Sequence, residues 1–339
     1  MSIINTFFES ILIPHRNFSS AFLYVKIESE RMQLKMRGTM KTLYDVLIIG
    51  GGPAGLSAAL AISRVGRTAL VCDSQVYRNA AAKHMQNFPS RDGMSPLELK
   101  ELIKNDINKY EKVDYAYKKV IDIKKEGPLF VGYFEDGQSV QAKKVILAHG
   151  VKDNLETLPN LREYWGETAI HCPYCHGYEL KGSDFAIVGE PEYTLHIAGI
   201  VKPLSSSISI FANGSKRYSE ENLKFIQEKK IEFHPGRITN LSGLNHKLES
   251  LTLDNGDIYK KNAMMIRPPT SLSSDLGIKL GCALTSEGNY LIEMKVKSSV
   301  PGVFIAGDLA EMAHSVLIAS TSGSMAGAFA CSEIGHAEL

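Results

Sequence analysis

The sequence predicts an α/β protein built on βαβ units of the nucleotide-binding kind, and three observations carry that prediction. An apolar run of strand length, YDVLII, leads through a glycine cluster into the helix-like PAGLSAALAISRVG and then into a second apolar run, TALVCD. A fainter copy of this order starts at FAIVG, passes through a helix-compatible stretch from Tyr193 to Ile200 and returns as ISIFAN. Near the carboxyl end, SSVPGVFIAGDLA reads as a short strand meeting Gly307-Asp308, and the small residues of HSVLIASTSGSMAGAFA suit a closely packed helix.

In the first unit, Gly66 can end the helix, and TALVCD closes a βαβ unit of about thirty residues. Gly50 permits the tight turn, Gly52 lets the backbone approach a pyrophosphate, and Gly55 allows the helix to pack closely. The amino terminus of that helix then faces the phosphates. Asp73, twenty-three residues after Gly50, falls where an acid accepts hydrogen bonds from an adenosine ribose. A glycine-rich turn without a ligand would leave the strand, the helix and the acid a coincidence.

The second unit is degraded. Gly189 is followed by Glu190, Pro191 and Glu192, and carboxylates there repel a pyrophosphate. ISIFAN ends without an acid for a ribose or an arginine cluster for a 2′-phosphate, leaving only Lys216 and Arg217 nearby. Nicotinamide binding at this turn stays open.

Just before this second unit stands His171-Cys172-Pro173-Tyr174-Cys175-His176. Two thiols separated by two residues can close and open a disulfide without moving the backbone far. Pro173 suits the first position of a helix, which puts Cys172 at a helix start, where a thiol pKa falls to roughly 3.5 to 7.5. His176 can shuttle the proton, and His171 reads as a polar neighbour. Zinc is the competing reading, but four ligands in six residues do not easily surround one tetrahedral ion and no second cysteine pair exists, so no metal is expected.

The Gly-rich turn upstream and Gly307-Asp308 downstream together suggest a flavin feeding this dithiol. The Asp308 carboxylate can bind a hydroxyl. The helix after it would turn the positive end of its dipole toward the flavin ring, lined by His314, Ser315 and Val316. An aspartate capping a core helix is the alternative; only the combination with the amino-terminal unit decides against it.

Composition sets the frame. A chain of 339 residues, 44% hydrophobic and 22% charged, is ample for a buried core and about two domains. Lys+Arg 38 against Asp+Glu 37 leaves a net charge of +1, which gives no global field for nucleic acid or an anionic membrane. Five cysteines are too few for a disulfide scaffold, so a cytoplasmic protein with one special pair is expected, and Cys72, Cys282 and Cys331 read as ordinary buried thiols. Residues 1–40 show no sustained periodicity, and their apolar runs IINTFF and AFLYV are too short to span a bilayer. They are expected to be an extension outside the fold rather than a targeting segment, with Met40 an alternative start.

From about Lys41 onward the chain resembles the low-molecular-weight thioredoxin reductases and, more narrowly, the thioredoxin-reductase-like dithiol oxidoreductases that include the gliotoxin-type oxidases. The resemblance rests on GGGPAG, YRNAAAKHMQNFPSRDG, HCPYCHGYE, IRPPTSLSSDLG and SVPGVFIAGD, in that order. It implies two Rossmann-like, three-layer ββα domains, the second inserted into the first. An FAD-binding domain would comprise residues 41–153 and 265–339, and an NAD(P)H-type domain carrying the redox pair would comprise residues 154–264. FAD would be held by Gly50, Gly52, Gly55, Asp73, Asn87, Ala148, Gly307 and Asp308, with His314, Ser315 and Val316 near its ring. Cys175 would be the flavin-facing sulfur and Cys172 the one that exchanges with substrate. Members of this family are usually homodimers whose domains rotate against each other.

The departures bear on function. GEPEYT replaces a glycine-rich nicotinamide turn, and FANGSKR replaces the arginine-rich stretch for a 2′-phosphate, so the donor is NADPH, NADH or none. His149 stands where many relatives have threonine, and His176 where thioredoxin reductases commonly carry an acid. The reading is a FAD-dependent oxidoreductase passing electrons from NAD(P)H to Cys172-Cys175 and on to thioredoxin or a small disulfide. The alternatives are an oxygen-dependent oxidase of a small dithiol and a redox-sensing relay flavoprotein.

Overall fold

The computed structural model describes residues 41–310 and 313–339; the extension expected at 1–40 lies outside them. The chain starts as the sequence predicts. Strand β1 (Leu43–Ile49) buries Val46, Leu47 and Ile48 completely, helix α1 (Pro53–Arg64) follows the glycine turn, and β2 (Ala69–Cys72) returns parallel to β1. Such continuous apolar strands fit a sheet covered on both faces. Helix α2 (Pro96–Asn108) leads to β3 (Val113–Ala116), which extends the parallel set.

An antiparallel meander comes next: β4 (Val120–Glu126), β5 (Leu129–Phe134) and β6 (Ser139–Leu147). Strand β6 serves two layers. Its first half pairs antiparallel with β5, while its length from Gln141 to Leu147 runs parallel to β1. This is the three-layer arrangement, with the meander on one face and helices on the other.

After β7 (Val151–Asp153) the chain crosses to a second sheet. Strand β8 (Ala169–Ile170), helix α3 (Pro173–His176), β9 (Asp184–Val188), helix α4 (Pro191–Val201), β10 (Ser207–Phe211) and β11 (Glu232–His234) precede a meander of β12 (Ile238–Leu244), β13 (Lys247–Leu253) and β14 (Ile258–Lys260). Strand β15 (Ala263–Ile266) then enters between β9 and β8, giving a parallel sheet of order β11-β10-β9-β15-β8. Met265 pairs with Ile187 inside this sheet, so the return crossing comes after Ile266 and a boundary before Met265 would cut a strand. The periodicity of this short buried strand gave no sign of which sheet it joins.

The return runs through β16 (Thr270–Leu272), antiparallel to β7. Among the described residues these two strands form the paired crossing between the sheets. Strands β17 (Ile292–Glu293), β18 (Lys297–Ser298) and β19 (Val303–Ile305) complete the first sheet, in the order β17-β18-β19-β6-β1-β2-β3.

Helix α5 (Val316–Glu338) lies against α1. The small residues read from the sequence explain how close: a Cβ on Gly323 would stand 2.0 Å from the Ala54 carbonyl oxygen, and one on Gly327 2.7 Å from that of Ala58. Ala326 and Ala330 are fully buried at the same seam. This packing fixes the start of α5 relative to the first glycine turn, where the functional residues gather. No helix among the described residues is long and apolar enough to cross a membrane.

Candidate active site

The first glycine turn is built as the spacing requires. Gly50 has φ +120, and a Cβ there would lie 2.2 Å from the Ala148 carbonyl oxygen. A Cβ on Gly55 would come within 1.8 Å of the Gly50 carbonyl oxygen, so the helix packs directly on the turn. Gly52 caps α1 and faces open space. The middle glycine, to which the sequence reading gave no role, is also required: a Cβ on Gly51 would strike the Asp73 carboxylate at 2.3 Å.

Asp73 is buried behind that turn. Its Oδ1 accepts from the Gln75 amide at 2.8 Å, and its Oδ2 from Tyr77 Oη at 2.7 Å and Lys100 Nζ at 2.8 Å. The carboxylate expected for a ribose is thus held by a lysine and a tyrosine that the sequence did not single out. A cavity of about 270 Å³ opens here, lined by Gly51, Gly52, Pro53, Tyr77, Asn79 and Lys100 among others. Open space over Gly52, a helix amino terminus and a largely apolar cavity edged by Tyr77, Asn79 and Lys100 fit the diphosphate and nucleoside parts of FAD. Asn87 does not line this cavity; it is exposed, with φ 62 and its amide donating to Asp92.

Cys172 and Cys175 form a disulfide with Cα atoms 5.3 Å apart. Cys172 is the N-cap of α3 and Pro173 its first residue, as the sequence predicts. Two histidines flank the pair. The His176 ring bonds the His84 backbone, and its buried Nε2 has no hydrogen-bond partner among the described residues. Burial pushes its pKa below the ordinary value, against the pull of Glu179 and the His84 backbone. His171 stacks on Trp165, with ring centroids 5.5 Å apart. Burial, with Arg78 adding to it, pushes the His171 pKa down to about 4. Both shifts favour the neutral ring.

Arg78 was missed by sequence reading, and it organises the site. Its Nε and Nη2 donate to Asp153 Oδ2 and Oδ1 at 2.8 and 2.6 Å, and its Nη1 donates to Asp308 Oδ2 at 2.8 Å. The same Nη1 meets His314 Nδ1 at 2.7 Å. Asp308 and His314 are thus joined through one guanidinium, while Ser315 caps α5 by accepting from the Ile318 amide and Val316 begins the helix. Gly307 donates its amide to Ser322 Oγ at 2.8 Å. Because His171 feels Arg78, Asp153 and His314, the flank of the disulfide adjoins this cluster. Arg78 lay inside YRNAAAKHMQNFPSRDG, but no local spacing points to a partner 230 residues away.

The second turn is filled by the chain itself. Gly189, with φ +139, gives its carbonyl to Tyr218 Oη at 2.9 Å, and the same hydroxyl meets Thr194 Oγ1 at 2.6 Å. Glu190, the N-cap of α4, accepts from Ser215 Oγ at 2.5 Å. Glu192 accepts from Arg217 Nη2 at 2.5 Å. The acidic turn expected from GEPEYT is therefore real, and the nearby arginine is engaged by it.

A family model described as pyridine nucleotide-disulphide oxidoreductase matches residues 44–327. The thioredoxin reductase tcpT of Claviceps purpurea is 32% identical over 309 residues, covering 86% of this chain and 94% of that protein. The thioredoxin reductase sirT of Leptosphaeria maculans is 31% identical over 306 residues, covering 85% and 94%. Among solved structures, the putative thioredoxin reductase TrxB from Bacillus anthracis superposes with a TM-score of 0.82 at 30% identity, covering 87% of this chain and all of that one (100%).

Proposed function

The chain belongs to the pyridine nucleotide-disulphide oxidoreductases, a family of flavoenzymes that use FAD and NAD(P)H, and from that premise we propose that its Cys172–Cys175 pair exchanges electrons with an external disulfide or dithiol. The observation that carries this reading is the pair itself, closed as a disulfide at the start of α3 and flanked by histidines beside the Arg78–Asp308–His314 cluster. FAD, when bound, supplies a two-electron store between the nicotinamide and the sulfur chemistry.

The chain's own residues account for the rest. Gly50, Gly52 and Gly55 give the turn over which a diphosphate is held, and Ala148 closes it from below. In this reading Cys172, which stands at the helix start, meets the external substrate, and Cys175, by the family resemblance, serves the cofactor. Opening the disulfide leaves two sulfurs that take up or give up protons, and the buried Nε2 of His176 is the base that holds one. In this reading the substrate is a small disulfide or a thioredoxin-like protein, and the enzyme works as a cytoplasmic homodimer.

A second direction is favoured by one observation, the acid-filled second turn. There a small dithiol reduces Cys172–Cys175 and dioxygen is the final acceptor. One anaerobic titration of the purified yellow protein separates the two. Bleaching of the flavin absorbance by NADPH or NADH supports the reductase direction. Bleaching by dithiothreitol alone, reversed by air, supports the oxidase. A flavin that answers to neither contradicts the sulfur chemistry altogether.

A further inference from the structure

Arg78 meets His314 at Nδ1, and this contact has only one consistent proton arrangement. A guanidinium carries five N–H donors, no acceptor, and does not lose its proton in a protein. Nδ1, 2.7 Å from Arg78 Nη1, must therefore present its lone pair. The neutral imidazole has one proton left, and it sits on Nε2. The guanidinium is itself held rigidly, bidentate on Asp153 from β7 and bound to Asp308 after β19. Its side chain is 17% exposed, and that of Asp153 8%.

We propose that Arg78 is a positioning residue: it fixes His314 in the Nε2–H form, a hydrogen-bond donor whose acceptor is a carbonyl oxygen or ring nitrogen of the bound flavin. The flavin as acceptor rests on the function proposed above; the tautomer does not. Among the described residues, the charged and titratable groups that act on His314 are Arg78 from the turn after β2, Asp153 from β7, Asp308 after β19, Arg267 after β15, and His171 before α3. Burial holds its pKa down; Asp308 opposes this, Arg78 and Arg267 reinforce it, and Asp153 opposes it. Protonation would place an N–H of Nδ1 against the guanidinium, so the contact with Arg78 disfavours the charged ring and favours the neutral Nε2–H donor.

The test reads the ring directly. Protein with ¹⁵N-labelled histidine, FAD bound, is examined near pH 7 by long-range ¹H–¹⁵N correlation, with His314→Gln to assign the signal. The expected spectrum shows a single tautomer, Nδ1 bare and Nε2 protonated, and the Nε2–H resonance moves when FAD is stripped. In Arg78→Met the expected result is a mixed tautomer and a His314 titration raised by about one unit or more. Arg78→Lys, which keeps the charge, should hold the titration closer to that of the wild type. A protonated Nδ1 or a tautomer mixture in the wild type overturns the assignment, and so does an Arg78→Met protein with an unchanged ring. An Nε2–H signal indifferent to FAD overturns the flavin as acceptor. If Arg78→Met does not fold, the wild-type and Arg78→Lys spectra still decide. None of these readings needs substrate turnover, so an inactive enzyme with a fixed tautomer would sink the proposed function and leave this inference standing.

Discussion

Arg217 donates from Nη2 to Glu192 Oε1 across 2.5 Å, which ties a cation near the second glycine turn to a carboxylate of the same turn. A coenzyme 2′-phosphate would have to displace Glu192 and would meet its charge. Glu192→Gln should therefore tighten NADPH binding by about tenfold, a change of about 1.4 kcal/mol, with little effect on NADH. Isothermal titration of both coenzymes checks this. Equal gains for the two would mean that the Arg217 contact has no part in coenzyme choice.

The first turn makes a steric prediction. A Cβ at Gly50 has both the wrong φ and a carbonyl oxygen 2.2 Å away. Gly50→Ala should cost about 3 kcal/mol or more and release FAD. The flavin-to-protein absorbance ratio after purification and the melting temperature report the two effects. A yellow Gly50→Ala protein of normal stability would refute the close approach.

Two buried histidines set an acid limit. Burial pushes the His149 pKa down from 6.5 to about 4, against the pull of the Gly150 backbone and Asp275. His171 is lowered to about 4 by burial and then Arg78. Above pH 6.5 neither ring is protonated in the folded or the unfolded chain, so the stability of the neutral buried forms is fully present. As pH falls from 6.5 toward 4 the unfolded chain takes up protons that the folded chain refuses, and stability drops. Chemical denaturation of His149→Leu across this window should show a shallower loss than the wild type, and an unchanged slope would remove His149 from the account.

His176 separates proton transfer from binding. His176→Gln keeps a polar group beside Cys175 but cannot hold a proton, and exchange with a small disulfide should slow by about 10²-fold or more. The wild-type rate should fall with acidity below the ordinary histidine range, in keeping with a lowered pKa, and this limb should vanish in the variant. Retention of the limb would assign it to another group.

The parts of this molecule visible in the sequence are those written in local spacing. Gly50, Gly52 and Gly55 announce a turn because glycine chemistry depends on neighbours a few residues away, and Cys172-Pro173 announces a helix start for the same reason. The small residues of α5 were legible as close packing, although not as packing on Ala54 and Ala58. Arg78, Asp153 and Lys100 were not legible. Their meaning lies in partners brought together by the sheets, and a charged residue looks the same in sequence whether it is solvated or clamped. Asp73 shows both sides: its position at the end of β2 was predicted, but its engagement by Tyr77 and Lys100 needed the fold.

In the proposed function, electrons enter or leave the flavin through Cys175. This route is tested most directly by anaerobic stopped-flow absorbance of the wild type and of Cys175→Ser, each mixed with dithiothreitol. The wild-type flavin should bleach, whereas Cys175→Ser should stay yellow with its FAD bound. Bleaching of Cys175→Ser at the wild-type rate would contradict it, because electrons would then reach the cofactor without this sulfur.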